Sequence, residues 1–125
     1  MRVLPVTLTA TLLVASLALP VKADTMLASN ICQYVQMDDS SRLREKLKES
    51  RIKLRNIYES IVCDGESLLR FAMISGANDT GEFIAKRLSS STLVQTESDG
   101  LDVISWADAN GHGESPITAA IKARL

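Results

Sequence analysis

The chain has two cysteines, Cys32 and Cys63, and between residues 41 and 62 it has neither glycine nor proline. These facts pull against each other, and the fold must resolve them. Leu43, Leu47, Ser50, Leu54, Ile57 and Ile61 fall at steps of 4, 3, 4, 3 and 4, one apolar helical stripe with a single polar defect at Ser50. A straight helix over 41–62 would be about 33 Å long. Leu27, Ile31, Tyr34 and Val35 predict a preceding helix over about 26–37. Packed antiparallel, that helix sets Cys32 beside the start of the long one, with Cys63 at its far end. A disulfide needs its two Cα atoms within about 7 Å. Either the long segment breaks, between Ser50 and Asn56, or it stays whole and the cysteines bond between two chains. The break is the preferred reading, because a stable seam wants an apolar residue where Ser50 stands.

A disulfide presupposes an oxidising compartment, and the first residues supply the reason to expect one. Arg2 is a short positive start. Val6–Leu19 is uncharged and strongly apolar, and its 14 residues are too few to span a bilayer. Pro20 breaks the helix, and Val21 and Ala23 are the small residues a signal peptidase reads. Residues 1–23 are therefore expected to be a cleaved signal peptide and 24–125 a single helical domain, exported to the periplasm or secreted. No second long apolar run follows, so no transmembrane segment is expected after cleavage. An even cysteine pair then reads as one Cys32–Cys63 disulfide. A zinc site is not expected from two cysteines without nearby histidines, nor redox chemistry without a C-x-x-C pair.

Beyond residue 62, Ser67 caps an expected helix with Leu68, Leu69, Phe71, Ala72 and Met73, closed by Gly76. Asn78–Thr80 starts another, with Phe83, Ile84, Arg87 and Leu88, ended by Ser89–Ser91. Residues 90–113 read as irregular. Leu93–Val94 and Leu101–Ile104 suggest short strands around Ser98-Asp99-Gly100, and Trp106–Gly113 suggests a loop. Ser115-Pro116 opens a last helix to about Arg124. The expected fold is all-α: about five short helices in stacked pairs, one disulfide, and an irregular segment near 90–113.

Without Arg2 and Lys22 the chain carries 12 basic and 15 acidic residues, a net charge of −3. The balance excludes a generally basic nucleic-acid binder, yet the charge is uneven. Arg42, Arg44, Lys46, Lys48, Arg51, Lys53 and Arg55 face only Glu45 and Glu49 within 40–55, a local net of +5. This segment is the candidate site for an anionic partner, an envelope protein or another anionic envelope component. Its simpler role is a solvated helix face, with Glu45 and Glu49 pairing at helical spacing. No Trp or Phe interleaves the charges, which disfavours nucleic acid.

Asp108, Asn110, His112 and Glu114 alternate ligand types around two glycines, but the twelfth place of a calcium-loop count is Ala119. No metal site and no cofactor are expected. His112 is the only histidine, and no nucleophile stands beside it in sequence. No catalytic residue is assigned, and Trp106 is expected to anchor the core. The leading reading is a non-enzymatic binding or interaction module. A small enzyme around His112, Asp108 and Glu114, and a homodimer through the 43–61 stripe, stay open as alternatives.

Two segments, GESLLRFAM (65–73) and GESPITAAI (113–121), resemble each other and the start of an ankyrin repeat, G-x-T-P-L-H-x-A-A. Serine replaces the threonine, and the helix after Gly76 is out of register. Ser41–Leu88 (SRLREKLKESRIKLRNIYESIVCDGESLLRFAMISGANDTGEFIAKRL), with ADANGHG at 107–113, is similar to small exported bacterial proteins of domain of unknown function 3718. The resemblance implies a bacterial envelope setting. It implies no activity and no catalytic residue.

Overall fold

The computed structural model describes residues 24–125; the expected signal peptide lies outside them. Asp24 caps α1 (Thr25–Gln36), accepting a hydrogen bond from the Leu27 amide at 2.6 Å. Leu27, Ile31 and Val35, at i, i+4 and i+8, are buried on one face. The helix ends at Asp38 in the left-handed region, φ 52°. The Asp39 amide reaches back to the Tyr34 carbonyl at 2.8 Å and the Asp38 amide to Val35 at 3.0 Å, which satisfies the last carbonyls. The Asp38 carboxylate then accepts from the Thr80 amide at 2.8 Å, at the start of a helix forty residues away. One aspartate thus ends one helix and caps another.

Asp39 caps α2 (Ser40–Ser50), accepting from the Arg42 amide at 3.0 Å. The stripe breaks here, inside the expected interval. Arg51 turns left-handed at φ 54°, and the Ile52 amide closes on the Leu47 carbonyl at 3.2 Å. The chain restarts as α3 (Leu54–Ile57) and a 3₁₀ turn at Tyr58–Ser60. Leu43, Leu47, Leu54, Ile57 and Ile61 all stay in the core. The redirected chain delivers Cys63 to Cys32, with their Cα atoms 5.6 Å apart, in an intrachain disulfide. The stripe is spent within the chain's own core, leaving no 43–61 seam exposed along one straight helix.

Asp64-Gly65 makes a two-residue hairpin between β1 (Val62–Cys63) and β2 (Glu66–Ser67), pairing Val62 with Ser67 and Cys63 with Glu66. Both turn residues have positive φ, 51° and 78°, the conformation that Asp-Gly favours. The next helix, α4 (Leu68–Ile74), is the centre of the fold. All of Leu68–Met73 is buried, and α1, α5 (Asn78–Arg87) and α7 (Val103–Ala109) pack around it. Gly76 (φ 66°) lets the chain double back into α5 (Asn78–Arg87). Against α5 lies α8 (Pro116–Lys122), capped by Ser115 with Pro116 in its first turn. Gly81 is where α5 and α8 meet: an added Cβ would fall on the Ile117 Cδ1 and Cγ1 atoms.

The fold is mostly helical, with eight helices among the described residues rather than about five. Much of the difference lies in 90–113, which is not irregular. Ser89 caps α6 (Ser90–Leu93), so the expected strand at Leu93–Val94 is helical and its C-cap. Asp102 caps α7 (Val103–Ala109), accepting from the Ser105 amide at 2.7 Å. That cap turns Val103–Ile104 into helix instead of strand, and puts Trp106 on the helix rather than in a loop. Residues 95–102 between them are held by Arg70 of α4. Its guanidinium donates to both Asp99 oxygens (2.7 and 3.0 Å) and to the Leu101 carbonyl (3.1 Å), and its Nε pairs with Glu97 at 3.0 Å. Arg70 is 5% exposed, a buried charge tolerated because two carboxylates and a carbonyl surround it.

Candidate functional site: a cationic groove

The break after α2 does more than free Cys63. It brings the C-terminal end of α2, the 51–53 connector and α3 against the C-terminal end of α5. Between them runs an open groove of about 800 Å³. Its floor is apolar: Leu47, Leu54 and Leu88 are buried, and Ile52 and Phe83 are half-buried. Its walls are cationic. Arg44 and Lys48 come from α2, Arg51 and Lys53 from the connector, and Arg55 from α3. Lys86 and Arg87 come from the last turn of α5, and Arg124 from just beyond α8. Among the described residues no Asp or Glu side chain lines it.

Such crowding is tolerated for two reasons. All eight cationic side chains are exposed, so water screens their repulsion. The helix ends that supply them carry unsatisfied carbonyls with partial negative charge, which favours cations there. Arg124 uses this directly, donating to the Leu88 carbonyl at 2.8 Å where α5 stops. None of the eight is ion-paired to a carboxylate among the described residues, and neither Glu45 nor Glu49 takes the neutralising role that helical spacing offered them.

Two of the arginines are ordered by one aromatic ring. The Arg44 guanidinium carbon sits 5.0 Å from the Phe83 centroid and that of Arg87 sits 4.9 Å from it. Arg87 is one helical turn beyond Phe83, and Arg44 reaches across from α2.

Of the seven expected cations, five line the groove: Arg44, Lys48, Arg51, Lys53 and Arg55. Arg42 and Lys46 do not. Arg42 pairs instead with Asp39, at 3.4 Å. Lys86, Arg87 and Arg124 were not legible as partners, because each joins through a contact distant in sequence. The one local signal was the i, i+4 pair Phe83 and Arg87.

The region around His112 is built differently. Its ring stacks on Trp106, with centroids 5.5 Å apart and planes 12° from parallel. The Arg70 guanidinium carbon lies 5.1 Å from the Trp106 centroid. The His112 amide donates to the Ala107 carbonyl (2.8 Å), and its carbonyl accepts from the Thr118 hydroxyl (2.8 Å). Trp106 is 7% exposed and anchors α7 against α4. A Cβ on Gly113 would meet Asp108 Oδ1 at 2.6 Å, so glycine lets that turn close over the carboxylate. Among the described residues no three His, Cys, Asp or Glu side chains are grouped to hold a metal ion.

Fold and groove define the class: a small, disulfide-linked helical domain presenting a one-signed cationic groove. The chain belongs to the family described as Protein of unknown function (DUF3718), whose family model matches residues 31–95. The match takes in both cysteines and seven of the eight groove cations; Arg124 and the 107–113 stretch lie beyond it. No curated protein and no solved structure matches the chain, and the ankyrin resemblance rests on the two short segments alone.

Proposed function

We propose that this is an exported, non-enzymatic binding module of the bacterial periplasm whose partner is anionic and occupies the groove. One observation carries the reading: among the described residues, eight cations with no carboxylate partner converge on one groove that no carboxylate lines. On a chain that is net acidic, such a concentration of one sign makes a local positive field that draws an anionic partner to the groove. Export is supported by the pattern of residues 1–23 and by the disulfide, which persists in oxidising compartments. No helix among the described residues is long and apolar enough to cross a membrane.

The binding test uses a polyanion-coated resin. The protein should be retained at low salt and released as salt rises. The variant Lys48→Gln, Arg51→Gln, Lys53→Gln, Arg55→Gln should elute at much lower salt, with its melting temperature intact. Equal elution of the two would end the groove reading. Export is tested apart, by intact mass of the protein recovered from the envelope of a bacterial host. A chain starting at Asp24 and two hydrogens lighter than its reduced form is expected; a chain retaining residues 1–23 would refute export by cleavage.

A further inference from the structure

The groove has one internal feature that a general attraction to anions does not require. Arg44 and Arg87 both pack on Phe83, and the two ring distances place their guanidinium carbons no more than 9.9 Å apart. A phosphorus held by two parallel N–H···O bonds lies roughly 4 Å from a guanidinium carbon. Two such groups within that span, reaching past the edge of the ring they share, can each take a phosphoryl group of one short phosphate chain. The ring holds both side chains in place beforehand, so less side-chain freedom is lost when the anion arrives.

Resting on the groove reading above, we propose that Arg44 and Arg87, ordered by Phe83, clamp the phosphoryl groups of a hydrophilic oligophosphate. The occupant's chemistry follows from the surroundings. A planar guanidinium fork matches tetrahedral phosphate oxygens, while Lys48 and Lys86 add point charges beside it. Phe83 is already engaged by two cations, so it is not a free platform for a nucleobase. Among the described residues the exposed large apolar side chains are Met26, Met37, Val62, Ile74, Val94 and Leu125, and none lines the groove. Nothing there is placed to enter an acyl layer, which favours a water-soluble phosphate chain over a lipid.

The test is calorimetric titration of the disulfide-intact protein with inorganic tripolyphosphate and, in parallel, with citrate and with phosphatidic acid vesicles. Tripolyphosphate should bind saturably, one per chain, about tenfold or more tighter than citrate. The variant Arg44→Lys, Arg87→Lys keeps every charge. It should weaken tripolyphosphate about tenfold and citrate less than about twofold, with the melting temperature unchanged. Phe83→Leu should move tripolyphosphate the same way, and Arg42→Lys, outside the groove, should move nothing. Equal affinity for tripolyphosphate and citrate, or indifference to the double Lys exchange, overturns the clamp and leaves the groove reading standing. Binding of the vesicles but not tripolyphosphate overturns the soluble occupant in the same way. Binding of no anion at all removes both.

Discussion

Reducing the disulfide should cost this fold a large part of its stability. The bond joins residues 31 apart in sequence, Cys32 on α1 and Cys63 at the hairpin. In the chain-entropy treatment a closed loop of about 32 residues removes about 12 cal/mol/K from the unfolded chain, about 3.7 kcal/mol at 25 °C. The 102 described residues, unfolding together, gain about 0.2 kcal/mol/K of entropy at the midpoint. The expected fall in melting temperature is therefore about 15–20 °C. Chemical reduction is a cleaner perturbation than mutation, because Cys63 is 3% exposed and truncating it would add a packing loss. The assay is thermal unfolding followed by circular dichroism, with and without a phosphine reductant, and with thiols counted after each melt. A fall below about 5 °C with both thiols free would refute the reasoning. It would mean that the unfolded chain already holds residues 32 and 63 close, or that the bond strains the native state.

Gly81→Ala should destabilise by about 1–3 kcal/mol despite the better helix propensity of alanine, because the methyl meets Ile117; denaturant melts check it, and a stabilised variant would show that α8 can move aside freely. Asp99 has its carboxyl held down to about 2 by hydrogen bonds from Arg70, below the ordinary 3.8. A lowered folded pKa contributes stability above the unfolded value that is lost as pH falls, so the window here is pH 4 to 2. The stability difference between wild type and Asp99→Asn should accordingly shrink on acidification through that window; a difference constant from pH 5 to 2 would exclude the pair as its source. Arg51→Gly should raise stability by about 0.5–1 kcal/mol, since a left-handed φ of 54° suits glycine, while weakening polyanion retention. Both effects moving in one direction would contradict the two roles assigned to Arg51.

How much of this was legible depends on the range of each interaction. The broken stripe was readable because two local facts conflicted: a period that asked for one long helix and a cysteine spacing that forbade it. Arg51, the residue that makes the break, carried no such signal, since arginine rarely turns left-handed and it does so here only as the end of α2. The segment around α7 was misread because Val103 and Ile104 follow an Asp-Gly pair, as a hairpin strand would. The deciding atom was the Asp102 carboxylate, whose bond to the Ser105 amide starts a helix only seven residues long. Arg70 sits between Leu69 and Phe71 in a buried helix, and its tolerance rests on Asp99, 29 residues on. Five of the eight groove cations were visible as a basic run. The other three came from α5 and Arg124, which only the packing of α2 and α8 against α5 brings near.

The cystine has a consequence for the groove as well as for stability. The covalent ring from Cys32 to Cys63 encloses all of α2, the connector and α3, so five of the eight cations ride on that loop. Lys86, Arg87 and Arg124 stand on the opposite bank, outside it. Oxidation therefore ties the loop that carries one bank to α1, while the buried leucines and isoleucines of the same loop seat it against the bank on α5. A chain with free thiols would keep those seating contacts whenever it is folded but would be folded less of the time, so fewer molecules would present both banks to an anion at once.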